Sequence, residues 1–106
     1  MLMKNTCLFI MLAAVLGLAS FPAAGEDASK ELGEKLFNDP ALGGSKNTES
    51  CGACHPGGEG LEGAGRLANL TEAINLCIER PLKGEKIGVD SVEMKSLVLY
   101  IKSLSN

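Results

Sequence analysis

Residues 51–55 read Cys51-Gly52-Ala53-Cys54-His55. Two thiols separated by two residues, with an imidazole directly after them, form the C-x-x-C-H pattern that attaches c-type haem. The spacing suits that chemistry. The thiols add across two vinyl groups on one side of a porphyrin, and a two-residue gap spans that edge. The adjacent imidazole then supplies the proximal axial ligand to iron. Gly52 and Ala53 are small, which lets the backbone lie close to a macrocycle. Two other chemistries use similar residues. A redox dithiol wants a strand-to-helix setting, whereas the segment before this motif is the loop sequence Gly43-Gly44-Ser45-Lys46-Asn47. A zinc site would draw on Cys51, Cys54, His55 and Cys77, but the adjacent Cys54 and His55 have trouble pointing at one tetrahedral ion. The motif therefore predicts one covalent haem c, with Cys51 and Cys54 attached to it and His55 on its iron.

The start of the chain has a composition of its own. Three of the four methionines and one of the four cysteines precede residue 20, and Lys4 is followed by an apolar run of 13 residues from Cys7 to Ala19. Small residues follow at Ala23, Ala24 and Gly25, and then the acidic Glu26-Asp27. A positive start, a short apolar stretch and a small-residue exit describe a secretory signal peptide. The run is short for a membrane span. The expected division is a signal peptide over 1–25 and one domain over 26–106, exported to the periplasm, with no membrane span once the signal is cleaved.

Removing residues 1–25 leaves 81 residues with a net charge of −4. That balance argues against nucleic-acid binding, which needs a basic face. The remaining part holds Cys51, Cys54, Cys77, one histidine, one methionine, and only Phe37 and Tyr100 as aromatics. So few large side chains make a thin core, and small scaffolds of this kind need a staple such as disulfides, a metal or a large cofactor. An odd cysteine count argues against a pure disulfide framework.

Three helices can be read, so the domain is all-α. The first spans about Ser29 to Asn38, with Ser29 as its cap, Leu32, Leu36 and Phe37 on one face and Asp39-Pro40 at its end. The second starts at Asn69, where Asn69-Leu70-Thr71-Glu72 has the form of a capping box. Its apolar positions are Leu70, Ala73, Ile74, Cys77 and Ile78, and Pro81 stops it. The third begins at Asp90-Ser91-Val92-Glu93, again a cap followed by Glu. Met94, Leu97, Val98, Ile101 and Leu104 form its apolar face, flanked by Tyr100. Five glycines between His55 and Gly65 mark an irregular loop.

This layout resembles the class I c-type cytochromes over essentially all of 26–106. The resemblance implies a small cytochrome c-like fold of about three helices wrapped around one covalent haem. It further implies that the first and last helices cross at Gly33, Phe37 and Tyr100. Leu32-Gly33-Glu34-Lys35-Leu36-Phe37-Asn38-Asp39-Pro40, on to Cys51, is similar to the haem-binding entry of bacterial dihaem cytochrome c peroxidases. Residues 70 to 104 resemble the haem domain of thiosulfate dehydrogenases and, more weakly, the Sox-type dihaem cytochromes. The matching residues there are Ile74-Asn75-Leu76-Cys77, Arg80, Lys83-Gly84 and Asp90-Ser91-Val92-Glu93-Met94.

A sixth iron ligand has two candidates. The segment from Pro81 to Val89 lacks the methionine usual in class I cytochromes, and Leu82 stands where the thiosulfate dehydrogenase pattern offers one. In the resembling sulfur-oxidising cytochromes the cysteine matching Cys77 ligates iron, and a free thiol in an exported protein is otherwise an oxidation liability. As a bland alternative, Cys77 is a small buried core residue. Met94 is the other candidate, with helix packing as its plain role. An open iron is the third arrangement. Arg66 and Arg80 are candidates for pairing with haem propionates, and Lys83 and Lys86 for a docking edge, against ordinary solvated surface roles.

Two functions follow. The first is a monohaem cytochrome that carries single electrons between redox partner proteins. The alternative is a haem-thiolate oxidoreductase, or a subunit of one, acting on thiosulfate or related sulfur anions. Against it, the resembling enzymes carry an Arg where this chain has Ala73, and they have a second haem domain. A sensor with open iron has only the missing loop methionine in its favour.

Overall fold

The computed structural model describes residues 27–105. The expected signal peptide over 1–25 lies outside them. Among the described residues the chain is all-α. Four α-helices run in the order α1 (Lys30–Phe37), α2 (Cys51–Cys54), α3 (Leu70–Glu79) and α4 (Val92–Ser103). Short 3-10 turns at Leu42–Gly44, Pro56–Gly58 and Ala64–Arg66 punctuate the connections. No described helix is long and apolar enough to cross a membrane.

The three longer helices lie where the apolar spacing places them, and α2 is an addition. Ser50 caps it by accepting a hydrogen bond from the Ala53 N–H at 3.1 Å. Four residues are too few for any periodic signal, so one turn of helix over the two cysteines could not be read from hydrophobicity.

The caps differ in detail from expectation. Ser29 does cap α1, its hydroxyl accepting from the Leu32 N–H at 3.0 Å. At α3 the capping box is not formed: Asn69 makes no side-chain cap bond and instead turns its amide toward the Glu72 carboxylate. At α4 the cap is Ser91, which accepts from the Met94 N–H at 3.0 Å, so the helix starts one residue later than a cap at Asp90 would put it.

Helices α1 and α4 make the most extensive helix contact of the molecule. Gly33 is the reason they can approach so closely. A Cβ placed there would sit 2.0 Å from the Ser96 carbonyl oxygen and 2.8 Å from the Tyr100 Cβ. One turn further along, the Phe37 and Tyr100 rings meet with centroids 5.1 Å apart and planes tilted by 58°, a favourable aromatic arrangement. Ser96 is fully buried under this crossing, and its hydroxyl accepts from the Ser29 N–H at 3.0 Å. Around the crossing lie the other core side chains: Leu70, Ile74 and Ile78 from α3, Leu42 and Leu82 from the connections, and Met94, Leu97 and Ile101 from α4. Every fully buried side-chain nitrogen or oxygen among the described residues has a partner.

Gly33→Ala should therefore cost roughly 3 kcal/mol, because the obstacle is backbone and the helices must part to admit a methyl group. Gly63 has no neighbour within 4 Å of an added Cβ. Gly63→Ala should change stability by no more than about 0.5 kcal/mol. Urea unfolding of the two variants side by side checks both values.

Candidate haem-attachment cleft

The core does not close on itself. It opens into a cleft whose roughly 760 Å³ of empty space includes open solvent. Three groups of residues line it. Phe37, Leu97 and Ile101 come from the α1–α4 pair. Ser50, Cys51, Cys54, His55, Leu61, Ala64 and Leu67 come from α2 and the loop after it. Leu70, Ala73, Ile74, Cys77, Pro81 and Leu82 come from α3 and the segment that follows. No lysine, arginine or carboxylate is among them.

The cleft thus gathers the motif residues and Cys77 in one apolar space. Cys51 is half-buried, and Cys54 and Cys77 are exposed. Burial raises the Cys51 thiol from the ordinary 9.0 to about 11, with Cys77 and Cys54 adding to the shift through their negative charge when ionised. Burial also pushes the Cys77 thiol up, and Cys54 adds to it. All three thiols line the same cleft. The periodicity of α3 had put Cys77 on the buried face. That apolar face looks onto the cleft at Leu70, Ala73, Ile74 and Cys77, as a ligand role for Cys77 needs, while Ile78 is buried in the core outside the cleft.

His55 is held by its own loop. Its Nδ1 lies 2.9 Å from the Glu59 carbonyl oxygen. A carbonyl can only accept, so Nδ1 carries the proton in the neutral ring and Nε2 keeps its lone pair. A ligating histidine commonly has this arrangement, with the second nitrogen anchored to a carbonyl or carboxylate. Among the described residues no hydrogen bond is made to Nε2. The residues present therefore fit a covalently attached, iron-containing macrocycle in three ways: thiols at the right spacing, an imidazole with a free nitrogen, and an apolar space beside both.

Other residues singled out by the sequence lie elsewhere. Met94 is fully buried and does not line the cleft, so its place in this structure is the packing one. Gly52 and Ala53 do not line the cleft either. Gly52 faces the end of α1, where an added Cβ would meet the Asn38 side-chain oxygen at 2.1 Å. Its lack of a side chain leaves room for that Asn38 oxygen. Arg66, Arg80, Lys83 and Lys86 are exposed. No group of three or more histidine, cysteine or acidic side chains among the described residues is gathered closely enough to hold a bare metal ion.

Two buried polar residues gave no functional signal. Asn75 exchanges two hydrogen bonds with the Ile87 backbone, donating from Nδ2 at 3.0 Å and accepting at Oδ1 at 2.9 Å. Ser96 supports the helix crossing. A polar residue on an otherwise apolar helix face was the available clue, but each partner is remote in sequence.

A scan against known protein families finds no match, and searches of curated proteins and of solved structures find none either.

The Cys51 shift has a pH consequence. A thiol whose folded pKa is raised favours the folded chain while it stays protonated. The haem-free chain should therefore hold its stability below about pH 9 and lose it between about pH 9 and 11. Cys51→Ser should flatten most of that slope. Part of it should remain from Cys77, whose thiol is also raised by burial, and from Tyr100, whose hydroxyl is pushed up by burial and then by Glu34. Urea midpoints measured across this range check the sign.

Proposed function

We propose that the chain is an exported monohaem c-type cytochrome that carries single electrons between redox partner proteins. The observation that supports it most is the convergence of Cys51, Cys54 and His55 on one apolar cleft, with His55 Nδ1 anchored to the Glu59 carbonyl. Cys51 and Cys54 would hold the haem through two thioether bonds, and His55 would bind its iron through Nε2. When bound, the haem supplies one-electron exchange between ferrous and ferric iron.

The chain's own part is to orient and to shield. Glu59 keeps the imidazole aimed and its basic nitrogen free. Phe37, Leu97 and Ile101 keep water off one side of the cleft. The exposed Cys54, Leu67 and Pro81 mark an open edge through which electrons would pass to a partner. Cys77, in the cleft, is our candidate for the sixth ligand in preference to Met94, which lies outside it. A thiolate there would stabilise ferric iron and lower the potential.

The thiosulfate reading is weaker. An anionic substrate wants positive charge beside the reacting sulfur. The cleft has no lysine or arginine in its lining, and at the position where the resembling enzymes carry Arg it presents the methyl group of Ala73.

The direct test is expression of the full chain with a cytochrome c maturation system. Haem should stay with the polypeptide through denaturation and solvent extraction, and His55→Ala or the double Cys51→Ser, Cys54→Ser variant should lose it. A chain that leaves maturation without covalent haem ends the proposal. Low-temperature EPR of the oxidised protein then assigns the sixth ligand. A low-spin thiolate signal should be present in the parent and in Met94→Leu, and absent in Cys77→Ala.

A further inference from the structure

The segment after Cys77 supplies Pro81 and Leu82 to the cleft and continues without regular structure from residue 83 to 88. An unstructured connection beside a cleft is ordinarily the part that opens. This one is tied down from both sides. The Glu85 N–H donates to the Gly43 carbonyl at 2.8 Å, and the Gly84 N–H to the Ile78 carbonyl at 2.7 Å. Asn75 holds the Ile87 backbone at both its N–H and its carbonyl. Gly43 is at φ +66°, and a Cβ there would strike the Ile78 side chain at 2.5 Å, so the loop before the motif can lie close enough to reach the strap.

Two further bonds stand apart, because they come from side chains in the loop that leads into Cys51. The Asn47 amide donates from Nδ2 to the Pro81 carbonyl at 2.5 Å, and the Ser45 hydroxyl donates to the Leu82 carbonyl. Two adjacent carbonyls are thus held by two donors two residues apart. The carbonyls belong to the two strap residues that line the cleft. Asn47 and Pro81 are exposed, so their bond is not required to satisfy a buried group. Such a bond adds little to global stability, yet it must break whenever the strap swings out.

We infer that Asn47, with Ser45 beside it, is a positioning residue that holds Pro81 and Leu82 in the cleft wall next to Cys77 and so sets how readily a small ligand enters the iron site. The inference rests on the haem reading and deepens it. An electron carrier has to keep its iron closed to outside ligands while a ligand binder has to admit them, and a clasp that holds the cleft wall in place serves the first task.

The test is the rate at which imidazole binds the oxidised, haem-loaded full chain, followed by stopped-flow absorbance. Asn47→Ala should raise the association rate about tenfold, through loss of one hydrogen bond in the closed state. Asn47→Asp keeps the shape but removes the N–H donor and sets a carboxylate against the Pro81 carbonyl. It should raise the rate at least as much. Asn69→Ala, which removes an exposed side chain bonded only to Glu72, should match the parent. A purely structural role for Asn47 would lower the unfolding midpoint and leave the imidazole rate unchanged, and that outcome overturns the inference. If the parent chain takes up no haem, the proposed function falls by itself. Hydrogen exchange at the Glu85 N–H of the haem-free chain then decides the clasp: faster exchange in Asn47→Ala upholds it, and equal exchange overturns it.

Discussion

The contact on which the rest of the molecule depends is the approach of the Gly33 backbone to the Ser96 carbonyl. Without a side chain at residue 33, α1 and α4 come close enough for Phe37 to stack on Tyr100 and for Ser96 to hold the entry to α1 through the Ser29 N–H. That pair of helices is the only large apolar surface in the described chain formed by two long elements lying on each other. Every other element is placed by reference to it. The third long helix touches α4 lightly and is held as much by Asn75 and the strap as by packing.

A core with two aromatic rings leaves space, and where that space falls explains the site. The α1–α4 pair supplies one wall of the cleft through Phe37, Leu97 and Ile101. These are core residues as well, so the boundary between core and cleft runs through individual side chains. Cleft and core share one apolar lining, and a macrocycle filling the first would extend the second. On this view the haem proposed here would be a structural member as well as a redox centre.

Much of this was legible in the sequence, for reasons that can be located. The C-x-x-C-H spacing is local chemistry and survives any error in the fold. The long helices carry clear apolar periods, and the crossing at Gly33, Phe37 and Tyr100 followed from the resemblance to class I cytochromes. What was misread, as at the α4 cap, or left open, as at Cys77 and Met94, involved a choice between neighbours or between faces. Asp90 and Ser91 are both good caps, and only the backbone decides for Ser91. Cys77 lies on the periodic face of α3, but that face is shared. A period of 3.6 residues tells that Cys77 and Ile78 lie on one side of the helix, and cannot tell that the cleft takes the first and the core the second. Met94 carried the same ambiguity on α4 and fell on the core side. Asn75, Ser96 and Asn47 were silent because their partners lie 12, 67 and 34 residues away, and a hydrogen bond between segments so far apart leaves no pattern in either.

The separation of Ser29 from Ser96 also bears on the order of events as the chain is made. Joining residues so far apart closes a loop whose entropy cost is about 4 kcal/mol, and the closure cannot begin before α4 exists. Until then Leu97 and Ile101 are missing from the cleft, and α1 has no partner for its Gly33 face. The segment from Cys51 to His55 is complete some forty residues earlier than the wall that will enclose it. The nascent chain therefore passes through an interval in which both motif thiols and the imidazole are within reach of other proteins on every side. Completion of α4 supplies the wall of Leu97 and Ile101 and narrows that access to the open edge where Cys54 stays exposed.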